Sequence, residues 1–370
     1  MPTAVTEQHP ATVQTAVPPT MQAIVLDDFG GPGVLVAREV PTPGVRPHDL
    51  LVRNASIGVN RADLLHRKGA YGRAYFGDAD TMGLEIAGTV VAVGPLVHGF
   101  AVGDRVMGIV GGGAYAELSR IDHRMAMHVP AGLDIVAAGA VAEVFVTAHE
   151  ALFHLANLQA GESVLIHAAA GGVGSAAVQL AKAAGARVFA TASADKRDAV
   201  LGFGADVFID YRSEDFAAVV AQVTDGKGLN VVIDFIGAPY LERNVRSLAV
   251  GGRMVAVGLL GGAQGATLPM DAVLYRHLQI FGTVMKSRPP EVKQAMVQRF
   301  AARWLPALAA GAIRPVIDSA YPLADAAQAH SRMESGVNVG KILLLPLCQP
   351  ATPAIPGACL HAANMSSPGL

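Results

Sequence analysis

Residues 167–182 read HAAAGGVGSAAVQLAK, a run of small side chains with one lysine, no acid and no cysteine. The run follows the strand-like SVLIHAA and opens a helical pattern that closes at Gly185. Ala169, Gly171 and Gly174 keep the spacing G-x-G-x-x-G, with alanine in the first place. Glycine at 171 lets the backbone approach a pyrophosphate, and glycine at 174 lets the helix lie close to the strand. The helix start, with Gly172 and Val173, offers free N–H groups and a partial positive charge to an anion. A helix start without a ligand can also be built from small residues. The βα unit around this one favours a dinucleotide site.

Outward from this turn the pattern repeats. ARVFAT reads as a strand and ADKRDAVLGFG as a helix. VFID precedes SEDFAAVVAQVTDG, NVVIDFIG precedes YLERNVRSLAVGG, and RMVAVG completes the run. Short loops between alternating strands and helices imply a parallel, doubly wound sheet. Before residue 145 the character differs. QAIVLDDFGGPG, DLLVRNASIGVN, EIAGTVVAVG and GDRVMGIV are short β-like runs parted by Pro and Gly, as in an antiparallel, barrel-like domain. A last segment holds a long helix near 290–310, then RPVIDSAYPL and GKILLLP, and resembles the first part more than the second. The expected divisions are an extension at 1–20, a β-rich domain at 21–145, a dinucleotide domain at 146–286, a return to the first domain at 287–346 and a tail at 347–370.

Composition narrows the class. The 370 residues are 52% hydrophobic and 16% charged, which suits a globular chain. A formal net charge of −2 predicts no nucleic-acid footprint. Apolar runs stop at glycines before they reach membrane-spanning length, and residues 1–20 lack a basic start and an apolar core. A cytoplasmic protein is expected. Both cysteines, Cys348 and Cys359, fall in the Pro- and Ala-rich tail, so no thiolate site is expected in the body.

The end of the second strand selects between the nicotinamide cofactors. An NAD enzyme commonly has an acid there, to hold the ribose 2′-hydroxyl. This chain has Ser193, followed by Lys196 and Arg197, and Tyr211 sits just after the third strand. The set favours NADPH. Lys196 and Arg197 also suit the solvated start of a helix, and Asp195 between them leaves NADH open. Asp234 ends the fourth strand, where ligand contacts collect, although an acid there can equally orient its own loop.

SIGVNRADLLHRKGAY, GLEIAGTVVAVG, GDRVMGI, GGGAYAEL, VTAHEAL, HAAAGGVGSAAVQLAK, DFIG and VGKILL together carry a resemblance. From about Met21 to Pro346 the chain resembles the zinc-independent medium-chain dehydrogenase/reductases. Within them it is similar to the quinone oxidoreductase (zeta-crystallin-like) branch and, through VNRADL and KSRP, to the p53-inducible quinone reductase subgroup. The resemblance implies an α/β chain with a GroES-like β-rich catalytic domain plus a doubly wound Rossmann domain, and NADPH-dependent reduction of a quinone by two electrons or one. It also implies cofactor contacts from Thr147 and Asn338, and a homodimer formed through LQIFGTVM.

Zinc-dependent relatives read Gly-His-Glu where this chain has Gly83-Leu84-Glu85, and place a cysteine where it has Asn60. Leucine cannot ligate zinc, so no metal is expected. The substrate must then accept hydride unaided, as quinones and α,β-unsaturated carbonyls do. Asn60 is the candidate donor to a substrate oxygen, with Asp63 on the same helical face to fix the site or relay a proton. Tyr71, near Tyr75 and Phe76, offers a π-face to a flat ring. The plainer reading makes Asn60 a helix cap. A reduced quinone can take protons from water, so no essential general acid is expected. Two other functions stay open: an NADPH-dependent enone or enoyl reductase, and a crystallin-like dinucleotide- or RNA-binding protein without useful turnover.

Overall fold

The computed structural model describes residues 17–70 and 81–346. Six strands form one wholly parallel sheet: Ser163–Ile166, Arg187–Ala192, Val207–Asp210, Leu229–Asp234, Leu248–Ala256 and Gln279–Gly282. Numbered one to six along the chain, they lie in the order 3-2-1-4-5-6. The order reverses between Ser163–Ile166 and Leu229–Asp234, which opens a crevice at the carboxyl ends of those strands. These strands read as nearly continuous apolar runs because helices cover both faces of the sheet.

A seven-stranded sheet takes Asp49–Val59, Glu85–Val93, Arg105–Ile109, Leu118–Asp122 and Ala126–His128 from the first part of the chain. Ile317–Pro322 and Lys341–Leu345 come from the last segment. Its pairings are antiparallel except between those last two strands. Lys341–Leu345 lies against Asp49–Val59, and that register brings Lys341 beside the start of the helix Arg61–Arg67.

The helix Ala142–His149 joins the two sheets and runs on into a π-helical stretch, Glu150–Leu155. A long helix, Pro290–Ala309, packs on it through Met296, Val297, Phe300 and Trp304. His149 and His154, five residues apart on this element, diverge. His149 is buried and accepts a hydrogen bond from Trp304 Nε1 (3.1 Å), whereas His154 is exposed. At the carboxyl end of the strand Ser163–Ile166, His167 is fully buried. Its Nε2–H donates to Asn244 Oδ1 (2.7 Å) and its Nδ1 accepts from the Thr191 hydroxyl (3.0 Å). Burial holds its pKa at about 4, so the ring is neutral.

Candidate active site

A cavity of about 1300 Å³ lies where the crevice of the parallel sheet meets the seven-stranded sheet. The glycine turn forms its floor. Gly171, Gly172, Val173 and Gly174 line it, and the helix Gly172–Ala183 leaves its first N–H groups without partners inside the helix. A Cβ on Gly174 would lie 2.3 Å from the Ala168 carbonyl oxygen, and one on Gly172 would lie 2.9 Å from Lys341 Cδ. The bare backbone at both positions is therefore required, and it forms the cradle that a pyrophosphate needs. Ala169 is buried behind the turn and does not line the cavity.

One end of the cavity is polar and basic. Ser193, Lys196, Tyr211 and Arg212 line it. Lys196 Nζ donates to the carbonyls of Gly336 (2.6 Å) and Asn338 (2.9 Å), which ties the loop after the second strand to the loop before the last one. Burial lowers the Lys196 pKa from its ordinary value. Arg212 lies over the Tyr211 ring at 5.8 Å. Asn338 also lines the cavity, with its amide turned to the Gly340 carbonyl (2.9 Å).

The other end is built around a buried ion pair. Lys341 Nζ contacts Glu85 Oε1, Asn60 Oδ1 (2.6 Å) and the Val59 carbonyl (2.8 Å). Asn60 Nδ2 donates to Glu85 Oε1 (3.0 Å) and the Gly58 carbonyl (3.2 Å). Glu85 Oε2 accepts the backbone N–H of Glu143 (2.9 Å). Asn60 thus lines the cavity with its whole amide engaged inside the protein, so no N–H is left over for a substrate oxygen.

Asp63 is buried beneath. Its Oδ2 accepts from Asn60 N–H (2.8 Å), as in a capping arrangement, and from Tyr115 OH (3.1 Å). The Tyr115 hydroxyl meets His330 Nε2 (2.9 Å), and Arg67 donates to His330 Nδ1 (3.4 Å) and to Glu334 (2.5 Å). Burial raises the Asp63 pKa to about 7 and lowers that of His330 to about 3. Asp63 anchors the wall from behind and is not part of the cavity lining.

Glu143 and Thr147 line this same end from successive turns of Ala142–His149. Asp234 is placed differently from the sequence expectation. It is fully buried and absent from the lining, and its carboxylate accepts the N–H groups of Ile236 (2.9 Å) and Gly237 (2.9 Å). It shapes its own turn, because a carboxylate at a strand end satisfies the nearest free amides first. Tyr71 lies outside the described residues. Glu143, Lys341, Glu85 and Arg212 are the additions. An acid in the apolar stretch VAEVFVTAH, four residues before Thr147, is the signal that marks Glu143.

The donor set does not fit zinc. Leu84 and Asn60 stand where zinc relatives carry ligands, and the Lys341 ammonium bonds to Asn60 and Glu85. Among the described residues no group of three or more His, Cys, Asp or Glu could hold a metal ion. No helix among them is long and apolar enough to cross a membrane.

Residues 46–157 match the alcohol dehydrogenase GroES-like domain, and residues 172–302 match the nucleotide-binding half described as zinc-binding dehydrogenase. The quinone oxidoreductase of Lama guanicoe is 35% identical over 334 residues, covering 88% of this chain and 97% of that protein. A quinone oxidoreductase from Pseudomonas syringae superposes with a TM-score of 0.80 at 31% identity, covering 88% of this chain and all of that one (100%). A mycobacterial protein solved in complex with NADPH superposes with a TM-score of 0.77 at 33% identity, again covering 88% and 100%. A dinucleotide cradle, a second wall without zinc ligands and likeness over 88% of the chain agree: the chain belongs to the zinc-independent medium-chain dehydrogenase/reductases, in their quinone oxidoreductase branch, and is an oxidoreductase of the kind that uses a nicotinamide dinucleotide.

Proposed function

We propose that this protein is an NADPH:quinone oxidoreductase. The observation that carries the cofactor choice is the basic end of the cavity. Ser193, Lys196, Tyr211 and Arg212 meet there, and no carboxylate from the end of the second strand lines it. A 2′-phosphate gains charge-assisted hydrogen bonds at such a site, whereas a bare ribose gains little. The reading that quinone is the substrate rests on the relatives and on Leu84 and Asn60 standing in place of zinc ligands.

Bound reduced nicotinamide supplies the hydride. The protein supplies position: the glycine turn fixes the pyrophosphate, and Thr147 and Asn338 flank the route from it to the substrate end. Leu64, Leu84, Ile109 and Val110 give the substrate end an apolar stretch of lining for a flat ring. Asn60 and Asp63 keep the wall in place through Lys341 and Tyr115, and Tyr71 is kept as the aromatic platform for a flat ring.

Steady-state turnover of a water-soluble p-benzoquinone and of a 2-alkenal, each with NADPH and with NADH, tests the proposal. Faster quinone turnover with NADPH is expected. Faster alkenal turnover would make it an enone reductase, and tight NADPH binding without turnover of either would leave a binding protein.

A further inference from the structure

Resting on the reading of this cavity as a quinone-reducing site, we propose that Glu143 is its proton donor, poised at the substrate end to hand a proton to the reduced substrate oxygen.

The placement comes first. Glu143 sits in the first turn of Ala142–His149, and its backbone N–H is pinned by Glu85 Oε2 at 2.9 Å. Thr147, one turn on, lines the same cavity. Val144, between them, reaches the glycine cradle: a Cβ on Gly172 would meet its Cγ1 at 3.1 Å. Glu143 is therefore held next to the pyrophosphate cradle and at the substrate end. Its carboxyl oxygens make no hydrogen bond among the described residues, although the neighbouring polar groups Asn60, Glu85, Asp63 and Lys341 are tied to one another. A carboxyl left without a protein partner on a cavity wall is available to a ligand.

The charges around it decide its protonation. Glu85 and Asp63 face it from the seven-stranded sheet and the helix Arg61–Arg67. Lys341 faces it from the last strand and Lys293 from the long helix. Burial is the largest influence and, with the repulsion from Glu85, outweighs the two lysines, pushing the Glu143 pKa up to about 8. The acid form, the only form that can donate, is present at neutral pH.

The step balances with groups already named. A bound reduced nicotinamide would supply two electrons and one hydrogen, as hydride, to the conjugated quinone, which leaves negative charge on a carbonyl oxygen. The Glu143 O–H bond breaks and an O–H bond forms on that oxygen. The carboxylate recovers its proton from solvent when the product leaves. This departs from the expectation that water alone supplies the proton, because a carboxyl without a protein partner stands on the wall of the substrate end.

The test compares wild type with Glu143→Gln, which copies the neutral acid without its proton, and with Glu143→Asp. Wild-type kcat for a p-benzoquinone with NADPH falls above about pH 8 and shows a solvent isotope effect. In Glu143→Gln kcat drops roughly a hundredfold, and the alkaline limb and the isotope effect vanish. Glu143→Asp keeps the limb. An unchanged limb in Glu143→Gln with NADPH binding intact overturns the proposal. A second readout needs no substrate: infrared difference spectra of the protein alone should show a carboxylic C=O band that titrates near pH 8 and is absent in Glu143→Gln. Its absence in the wild type at pH 7 overturns the assignment. If no quinone is reduced by the wild type, the proposed function fails, and the band still decides whether Glu143 holds a donatable proton.

Discussion

Single residues in this molecule act through what they would leave unpaired. Lys341 and Glu85 are both buried, and each satisfies the other together with Asn60. Removing one partner strands a charge away from water, which costs about 3–5 kcal/mol. Lys341→Met should lower stability by that amount in urea denaturation, and adding Glu85→Gln should recover part of it. An additive double variant would mean that the two side chains do not depend on each other. The sequence made Asn60 visible, as the residue before RAD, yet its use was not. Its amide closes the ion pair, so Asn60→Ala is expected to lower the melting temperature more than it lowers kcat.

Among the elements, the turn and the loop that follows the second strand should divide the proposed cofactor between them. The turn was legible because each glycine answers a local demand: a Cβ on Gly174 would lie 2.3 Å from the Ala168 carbonyl oxygen. Gly174→Ala should therefore weaken NADPH and NADH alike, by pushing the helix off the strand. The loop should discriminate between them. A charge-assisted contact contributes about 1.5–3 kcal/mol. Lys196→Ala and Arg212→Ala should each weaken NADPH by roughly ten- to a hundredfold and leave NADH nearly unchanged in fluorescence titration. Equal loss for both cofactors would remove the 2′-phosphate assignment. Lys196 was readable from its place after the strand. Tyr211 was readable from the end of the next strand, but Arg212 beside it was not, because only the structure shows its side chain at the cavity.

At the scale of the whole molecule, buried titratable groups set the pH range of stability. Burial depresses the pKa of His149, His167 and His330 to about 4, 4 and 3. The unfolded chain protonates them below about 6.5, so their contribution is complete above that pH and lost as pH falls toward 4. Asp63 and Glu143 act in the opposite sense. Their pKa values are raised to about 7 and about 8, so the stability linked to their protons is present at low pH and lost as pH rises through those values. Between about pH 4.5 and 6.5 three histidines oppose two acids, a net loss on acidification of about 1.4 kcal/mol per pH unit. Above about 6.5 only the acids count, and stability falls toward alkaline pH. Urea denaturation across pH 5–8 should show a maximum near pH 6.5 in the wild type, with an acid side that goes flat in His167→Gln. A flat profile would contradict the burial of these groups. Assembly belongs to this scale too. Gln279–Gly282 ends the parallel sheet, and the exposed apolar side chains Val250, Leu274, Tyr275 and Ile280 come from this strand and the segments just before it. A dimer through that edge is expected in sedimentation, and Ile280→Lys should shift it to monomer.

What the sequence determined by itself was whatever depends on neighbours along the chain. The alternation of strand and helix, the glycine turn, the lack of ligands at Leu84 and Asn60, and the absence of an acid at Ser193 all follow from local spacing and local chemistry. The working wall of the site depends on distant partners. Lys341 meets Glu85 across 256 residues and Asn60 across 281. Tyr115 joins Asp63 to His330 only because the helix Arg61–Arg67, the loop before the strand Leu118–Asp122 and the helix Ala326–Ser335 converge. The apolar stretch around Glu143 hints at a buried acid, but the groups that surround it and raise its proton affinity come from other elements. Hydrogen-bond partners and proton affinities are properties of surroundings, and only the tertiary structure supplies those.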